Sequence, residues 1–171
     1  MAKDINRRNF LKVLGGSTVA ASALLTACKG LNKGKTSAGQ EPENGKMTYR
    51  TNPKTGEKVS ILGYGMMRLP VVGGGTERDH PDADIDQEMV NRQIDYALEH
   101  GLNYIDTSPA YCKGRSERAT GIALHRHDRS EYFIATKLSN FSPATWSREA
   151  SIEMFENSLR ELQVDYVDYL L

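Results

Sequence analysis

Three titratable side chains stand at or just after short apolar segments in the second half of the sequence. Asp106 ends the segment 103–106, Lys137 ends the segment 132–137, and Tyr111 lies in the stretch between them. Both segments have the composition of short buried strands. In a barrel of parallel strands, the carboxyl ends meet at one mouth, where the following loops carry the chemistry. A carboxylate, a phenol and an amine gathered there could hold and transfer a proton.

Strand and helix patterns alternate from Met47 onward, beginning with a hairpin. The turn formers of residues 52–56 separate two short segments, residues 49–50 and 58–62, which indicates a β-hairpin. Three helix patterns follow, each between two strand patterns. The three titratable residues therefore lie within a repeating strand and helix body.

The helices are marked by caps and by apolar faces. Asp84 or Asp86 caps the first helix, which closes at Gly101; the second covers about residues 116–124, and the third follows Ser147. Apolar residues recur at helical spacing, which predicts one buried face per helix. These residues are Val90, Ile94, Ala97 and Leu98 in the first helix, and Ile152, Phe155, Leu159 and Leu162 in the third.

Strands that alternate with helices through short links pair in parallel, in either a doubly wound sheet or a barrel. The Gly63-Tyr64-Gly65 segment lacks the third glycine of a nucleotide-binding fingerprint. The positions of Asp106, Tyr111 and Lys137 favour a barrel. We predict an α/β fold over residues 47–171: the N-terminal half of a TIM (β/α)8 barrel, with about four strands and three helices, preceded by the β-hairpin.

The composition argues against two classes of function, nucleic-acid binding and zinc binding. The chain has 22 basic and 22 acidic residues and a pI near 6.9, so it lacks the positive field that gathers nucleic-acid phosphates. Nucleic-acid binding is not expected. Its two cysteines, Cys28 and Cys112, fall short of the four ligands of a structural zinc site. We therefore predict no metal site.

Residues 1–27 have the layout of an export signal. The pair Arg7-Arg8 precedes an uncharged run of about 15 apolar and small residues, shorter than the roughly 20 that a membrane-spanning helix needs. The paired arginines resemble a twin-arginine signal, which would export a folded protein; an ordinary signal peptide is the alternative. Residues 28–46, poor in apolar side chains, are predicted to be a flexible linker.

The segment Leu25-Thr26-Ala27-Cys28 resembles a lipobox. Cys28 is then the lipid attachment point and the mature N-terminus; a signal cut nearby, with a free cysteine, is the alternative. We predict an exported protein, either periplasmic or lipid-anchored to the bacterial envelope. Contact with the membrane is expected only through the signal or the lipid.

The segment 101–111, Gly-Leu-Asn-Tyr-Ile-Asp-Thr-Ser-Pro-Ala-Tyr, and its continuation Gly114-Arg115-Ser116-Glu117 resemble the signature of the aldo-keto reductases. Two further blocks resemble the same family at its spacing, residues 133–137 and 158–168. The resemblance covers Tyr49 to Leu171. It implies a nicotinamide-dependent carbonyl reductase on a (β/α)8 barrel.

The resemblance also implies roles. Tyr111 would be the general acid that protonates the carbonyl oxygen of a small carbonyl substrate. A free phenol with a pKa of about 10 holds its proton tightly, and an adjacent ammonium, that of Lys137, would stabilise the phenolate. Asp106 would pair with Lys137 and hold it in place. None of the four histidines, at positions 80, 100, 125 and 127, is placed to join them; they are read as surface residues.

The implied cofactor is NADP or NAD. Met66, Met67 and Asp106 would lie near its nicotinamide and ribose, although the two methionines are equally consistent with core packing. Cys112 stands where most relatives have glycine, and its thiol is either a redox handle or an inert small side chain. Some exported relatives carry iron–sulfur clusters, which here would require a C-terminal region beyond Leu171.

Residues 47–171 amount to about half of the roughly 250 residues of such a barrel. We therefore interpret the chain as a fragment of a reductase and expect it to be inactive by itself, since half a barrel leaves strand edges unpaired. The alternative is a short, non-catalytic, lipid-anchored half-barrel that acts as a binding or complementation module. The family's catalytic histidine is expected just after Leu171.

Overall fold

The computed structural model describes residues 46–171. The export signal predicted at 1–27, Cys28 and all but the last residue of the predicted linker lie outside the described residues. The described part contains a two-stranded hairpin and a four-stranded sheet with three helices. The strands are β1 (Tyr49–Thr51), β2 (Lys58–Ser60), β3 (Tyr64–Gly65), β4 (Tyr104–Asp106), β5 (Phe133–Thr136) and β6 (Tyr169–Leu170), and the helices are α1 (Gln87–Glu99), α2 (Ser116–Leu124) and α3 (Arg148–Leu162).

The hairpin confirms the sequence prediction. Strands β1 and β2 pair antiparallel, and the turn between them is closed by Gly56, whose positive φ of 79° suits a residue without a Cβ. Asn103, directly before β4, accepts from the Ser60 amide at 2.8 Å and donates to the Lys58 carbonyl at 2.9 Å. These bonds join the hairpin to the amino end of the main sheet, opposite the predicted site.

The main sheet has the order β3-β4-β5-β6, and every pair is parallel. One helix lies in the chain between each pair of successive strands, as the alternating pattern predicts. Side chains alternate across a strand. Ile105 and Ile134 are fully buried in the core with residues of the helices. Asp106 comes one residue after Ile105 in β4, and Lys137 comes three residues after Ile134, directly after the end of β5, so both lie on the opposite face.

Helix α1 begins where its cap predicts. The Asp86 side chain accepts from the Met89 amide at 2.9 Å, so Asp86 rather than Asp84 is the N-cap. The buried face holds three of the four predicted residues: Val90, Ile94 and Ala97. The chain leaves the helix through Gly101, at φ 83°.

The prediction for α3 was wrong in part. Of its proposed apolar stripe only Leu162 is buried, and Ile152 is 40% exposed. The helix instead comes close to α2 at Gly121. A Cβ added to Gly121 of α2 would lie 2.6 Å from the Leu162 carbonyl oxygen and 2.7 Å from that of Glu161. This close approach turns the helix so that Ser158 and Leu162 face inward.

Replacing Gly121 with alanine is expected to destabilise the protein by about 3 kcal/mol, because the new methyl would overlap backbone that cannot move alone. Urea unfolding followed by circular dichroism measures the loss. Arg118→Ala, on the exposed side of the same helix, is the matched control and should change the unfolding free energy by less than about 0.5 kcal/mol. Equal stability of Gly121→Ala and wild type would contradict this packing.

Among residues 46–171, no helix has both the length and the apolar character needed to cross a bilayer.

Candidate active site

Asp106 and Lys137 meet at the carboxyl end of the parallel sheet. The Lys137 Nζ donates to both Asp106 carboxylate oxygens at 2.7 Å and to the Thr107 carbonyl oxygen at 2.9 Å. Both side chains are about one quarter exposed. The ammonium is thus fixed by three acceptors while one side stays open to solvent.

Tyr111 lies beside this ion pair. It begins a short 3₁₀ turn, Tyr111–Gly114, that follows β4, and its ring centroid is 4.9 Å from the Lys137 Nζ. Its amide donates to the Ser108 carbonyl at 3.1 Å, which folds the turn back over the strand end. The structure therefore brings together the three residues that the sequence separates by up to 31 positions.

The surroundings keep Lys137 charged. Burial lowers the pKa of its amine, but hydrogen bonds to Asp106 and Tyr111 and the charges of both groups outweigh burial, so the pKa is raised above its ordinary value. Lys137 is therefore an ammonium at neutral pH. Tyr104 is a second phenol near Asp106, and its pKa is raised above the ordinary value by burial and then by the charge of Asp106.

The side chains of Met66 and Met67 differ in their exposure to solvent. The Met66 side chain is fully buried in the core, and its carbonyl accepts from the Ser116 hydroxyl at 2.7 Å. Met67 is 50% exposed. Of this pair, only the side chain of Met67 can reach a bound molecule.

The end of β3 offers room beside the ion pair. Gly65 pairs in register with Asp106, and a Cβ added to Gly65 would meet no atom within 4 Å. The end of β3 is therefore open beside the Asp106 carboxylate. Among residues 46–171, no three His, Cys, Asp or Glu side chains are grouped so that they could hold a metal ion.

The turn after Tyr111 has an unusual backbone. Cys112 and Lys113 are left-handed at φ 50° and 55°, and Gly114 follows at φ 84°. Left-handed geometry costs a residue with a Cβ about 1 kcal/mol or more. The Cys112 thiol is 4% exposed and donates to the Met67 carbonyl at 3.2 Å. Cys112 therefore packs inward where glycine would be easiest to accommodate.

We expect the Cys112 thiol to be inert in the native protein, because it is covered and burial raises its pKa. In a Cys28→Ser variant of residues 1–171, where Cys112 is then the one remaining cysteine, a thiol reagent such as Ellman's should react only after urea is added. Stoichiometric labelling of the folded protein within minutes would contradict this and favour the redox interpretation.

Sequence reasoning missed several residues that shape the site. Ser116 joins two strand ends, since it bonds the Met66 carbonyl and lies 2.9 Å from the Thr107 hydroxyl. Glu117 is buried and accepts from Thr136 at 2.5 Å, and burial raises its pKa. Both belong to the motif block of residues 114–117, but no local pattern indicates their partners.

The four histidines lie outside this group. Three of them, at positions 80, 100 and 125, are exposed. His127 is part-buried, and its Nε2 lies 2.7 Å from the Asp95 carboxylate of α1. This contact joins the loop after α2 to α1 and plays no part at the strand ends.

This chain is similar to known proteins in both sequence and structure. The L-galactose dehydrogenase of Arabidopsis thaliana is 34% identical over 128 residues, which are 73% of this chain and 37% of the relative. The solved structure of the thermostable aldo-keto reductase Tm1743, with the inhibitor epalrestat, superposes with a TM-score of 0.57 at 30% identity, over 73% of this chain and 42% of Tm1743. An aldo-keto reductase from Klebsiella pneumoniae, solved with NADPH, superposes with a TM-score of 0.55 at 26% identity, over 73% of this chain and 39% of the other.

The chain spans well under half the length of each of these proteins. The partial barrel predicted from the sequence is confirmed by the solved structures it resembles. Residues 62–171 match the model of the Aldo/keto reductase family. The chain belongs to the aldo/keto reductase family.

Proposed function

We propose that the protein expressed from this gene reduces small carbonyl compounds with NADPH, with Tyr111 as the proton donor. The observation that carries this is the convergence of Tyr111, Lys137 and Asp106 at the open carboxyl end of the sheet. Two kinds of comparison support it: the family match, and similar structures solved with NADPH or NADP. NADP is therefore favoured over NAD.

Each residue has a defined task in this proposal. The Tyr111 hydroxyl donates its proton to the carbonyl oxygen of the substrate as that oxygen gains negative charge. The Lys137 ammonium, 4.9 Å from the Tyr111 ring, stabilises the phenolate that is left. Asp106 holds the ammonium through both carboxylate oxygens, so that it does not move as charge develops.

The cofactor would supply the hydride that reduces the carbonyl carbon. Asp106 can accept a hydrogen bond from a ribose hydroxyl, and the exposed Met67 can pack against the nicotinamide ring. The Gly65 strand end leaves room for both contacts. We assign no cofactor contact to the buried Met66 side chain.

The test is a turnover assay on the protein expressed from its gene, in which NADPH oxidation is followed at 340 nm with a panel of aldehydes and ketones. We expect turnover with at least some of them, and weaker use of NADH. A folded protein that neither oxidises NADPH with any of the panel nor quenches NADPH fluorescence on binding would contradict the proposal. Residues 1–171 alone are expected to bind NADPH poorly and to show no turnover.

We also propose that the protein is exported, through the Arg7-Arg8 signal, and anchored by a lipid at Cys28. The support is the order of charged, apolar and lipobox residues in the first 28 positions. Replacing Arg7 and Arg8 with lysine should keep the precursor in the cytoplasm, because twin-arginine export reads the guanidinium pair. Cell fractionation with immunoblotting measures this.

The matched control for export is Arg50→Lys together with Lys46→Arg, which changes basic residues outside the signal and should leave export intact. Normal export of the Arg7→Lys, Arg8→Lys variant would contradict the twin-arginine route. Palmitate labelling that persists in Cys28→Ser would contradict lipidation at Cys28.

A further inference from the structure

One guanidinium joins the turn that carries Tyr111 to a distant loop. The Arg115 Nε donates to the Cys112 carbonyl at 3.1 Å, its Nη1 to the Ala83 carbonyl at 2.8 Å, and its Nη2 to the Pro81 carbonyl at 3.1 Å. Pro81 and Ala83 belong to the long segment between β3 and α1. Arg115 thus joins two segments that are about 30 residues apart in sequence.

The turn on one side of Arg115 needs support. Three consecutive residues after Tyr111 are left-handed, and two of them, Cys112 and Lys113, carry a Cβ. Such a backbone persists only where its surroundings determine it. Arg115 binds the carbonyl of the first of these residues, and the Cys112 thiol adds its bond to Met67.

The segment on the other side is a folded unit of its own. Residues 66–86 form two antiparallel bridges, Pro70 with Thr76 and Val71 with Ile85, and the Val72 amide donates to the Asp84 carbonyl at 2.9 Å. We call it the β3–α1 loop. Its first part is anchored in the core, where Leu69 is only 2% exposed, and its later part at Pro81 and Ala83 is held by Arg115.

Lys113 also reaches this loop, but the contact is weak. Its Nζ lies 2.8 Å from Asp82, and the two side chains are 57% and 94% exposed. Exposed ion pairs of this kind contribute little. The part-buried, three-carbonyl contact of Arg115 is therefore the stronger of the two attachments.

We propose that Arg115 is a positioning residue for carbonyl reduction: it holds the Tyr111 turn against the β3–α1 loop and so sets the direction of the phenol. The inference rests on the proposed function. A guanidinium is required because each of its three nitrogens, held apart in one rigid plane, reaches a different carbonyl, whereas the three donors of an ammonium share a single nitrogen. The Arg115 side chain donates to the carbonyls of Cys112, Ala83 and Pro81 and not to Lys137 or Asp106, so its effect on chemistry would pass through Tyr111.

The test compares Arg115→Ala and Arg115→Lys with wild type in the protein expressed from its gene. We expect kcat to fall by about 10- to 100-fold in both, since a proton donor displaced by about 1 Å loses that much. KM should stay within about threefold. The lysine variant should not rescue kcat, because the three carbonyl contacts and not the charge are needed. In a Tyr111→Phe background, Arg115→Ala should cause no further loss.

Hydrogen exchange gives a readout that does not depend on activity. Amides of residues 82–84 and 111–115 should exchange about tenfold faster in Arg115→Ala, and the unfolding free energy measured in urea should fall by no more than that factor corresponds to, about 1.4 kcal/mol. Lys113→Ala is the matched control, since it removes a contact between the same two segments, and should change neither kcat nor exchange.

Wild-type exchange in Arg115→Ala, or full kcat in Arg115→Lys, would overturn the inference. An inactive wild type would instead defeat the proposed function, and the exchange comparison would still decide whether Arg115 holds the two segments together. The two failures are therefore distinguishable.

Discussion

Tyr111→Phe is expected to lower kcat/KM for carbonyl reduction by about 10²- to 10⁴-fold, the usual contribution of a general acid. The substitution removes one hydroxyl and leaves the ring, so the contact between the ring and the Lys137 ammonium, 4.9 Å from its centroid, is kept. Tyr111 is only part-buried, and folding should change little. The measurement is the initial rate of NADPH oxidation over a range of aldehyde concentrations.

Tyr104→Phe is the matched control. This second phenol lies on the same sheet face as Asp106, but burial and the Asp106 charge raise its pKa and make it a poor donor. We expect less than a fivefold loss from this change. If Tyr104→Phe were the more damaging substitution, the proton donor would have to be reassigned.

Lys137→Met should lower kcat by about 10²-fold at pH 7, with the loss much the same from pH 6 to pH 8. The raised pKa of Lys137 means that the wild-type amine is charged throughout that range, so the variant lacks the same charge at every pH. The loss falls on kcat because the ammonium stabilises the phenolate in the transition state. Rates measured at saturating aldehyde from pH 6 to pH 8 check both the size of the loss in kcat and its independence of pH.

Lys113→Met controls for the loss of a positive charge near the site, and should be within twofold of wild type because its ion pair is exposed. Asp106→Asn should lower kcat less than Lys137→Met does, since the Thr107 carbonyl still accepts a hydrogen bond from the Lys137 ammonium. A Lys137→Met enzyme with wild-type kcat would contradict the role given to the amine.

The residues of the site are largely predictable from the sequence, because they stand at strand ends within motif blocks. The caps of α1 and α3 are predictable too, since Asp86 and Ser147 act on amides three residues away. Which side of α3 faces the core is not predictable from the sequence. Its orientation depends on how closely Gly121 lets two backbones approach, and periodicity carries no information about a glycine on another helix.

Arg115 and Met66 show the same limit at the site. Arg115 is visible in the sequence as part of a motif, but its three carbonyl partners involve backbone that any residue type supplies. Met66 and Met67 are identical neighbours in sequence, and the turn at the end of β3 places one in the core and the other in solvent. The contacts of Arg115 and the different burial of Met66 and Met67 both depend on the path of the backbone. The side-chain types of neighbouring residues do not determine that path.

The most direct test of the account is a double-mutant cycle between Tyr111 and Lys137 in the protein expressed from its gene. If Lys137 acts through the phenol, Tyr111→Phe with Lys137→Met should be no slower than Tyr111→Phe alone, since one function is lost in both. If the two losses in kcat instead multiplied, Tyr111 and Lys137 would act independently, and the proton-donating pair that the structure suggests would not exist.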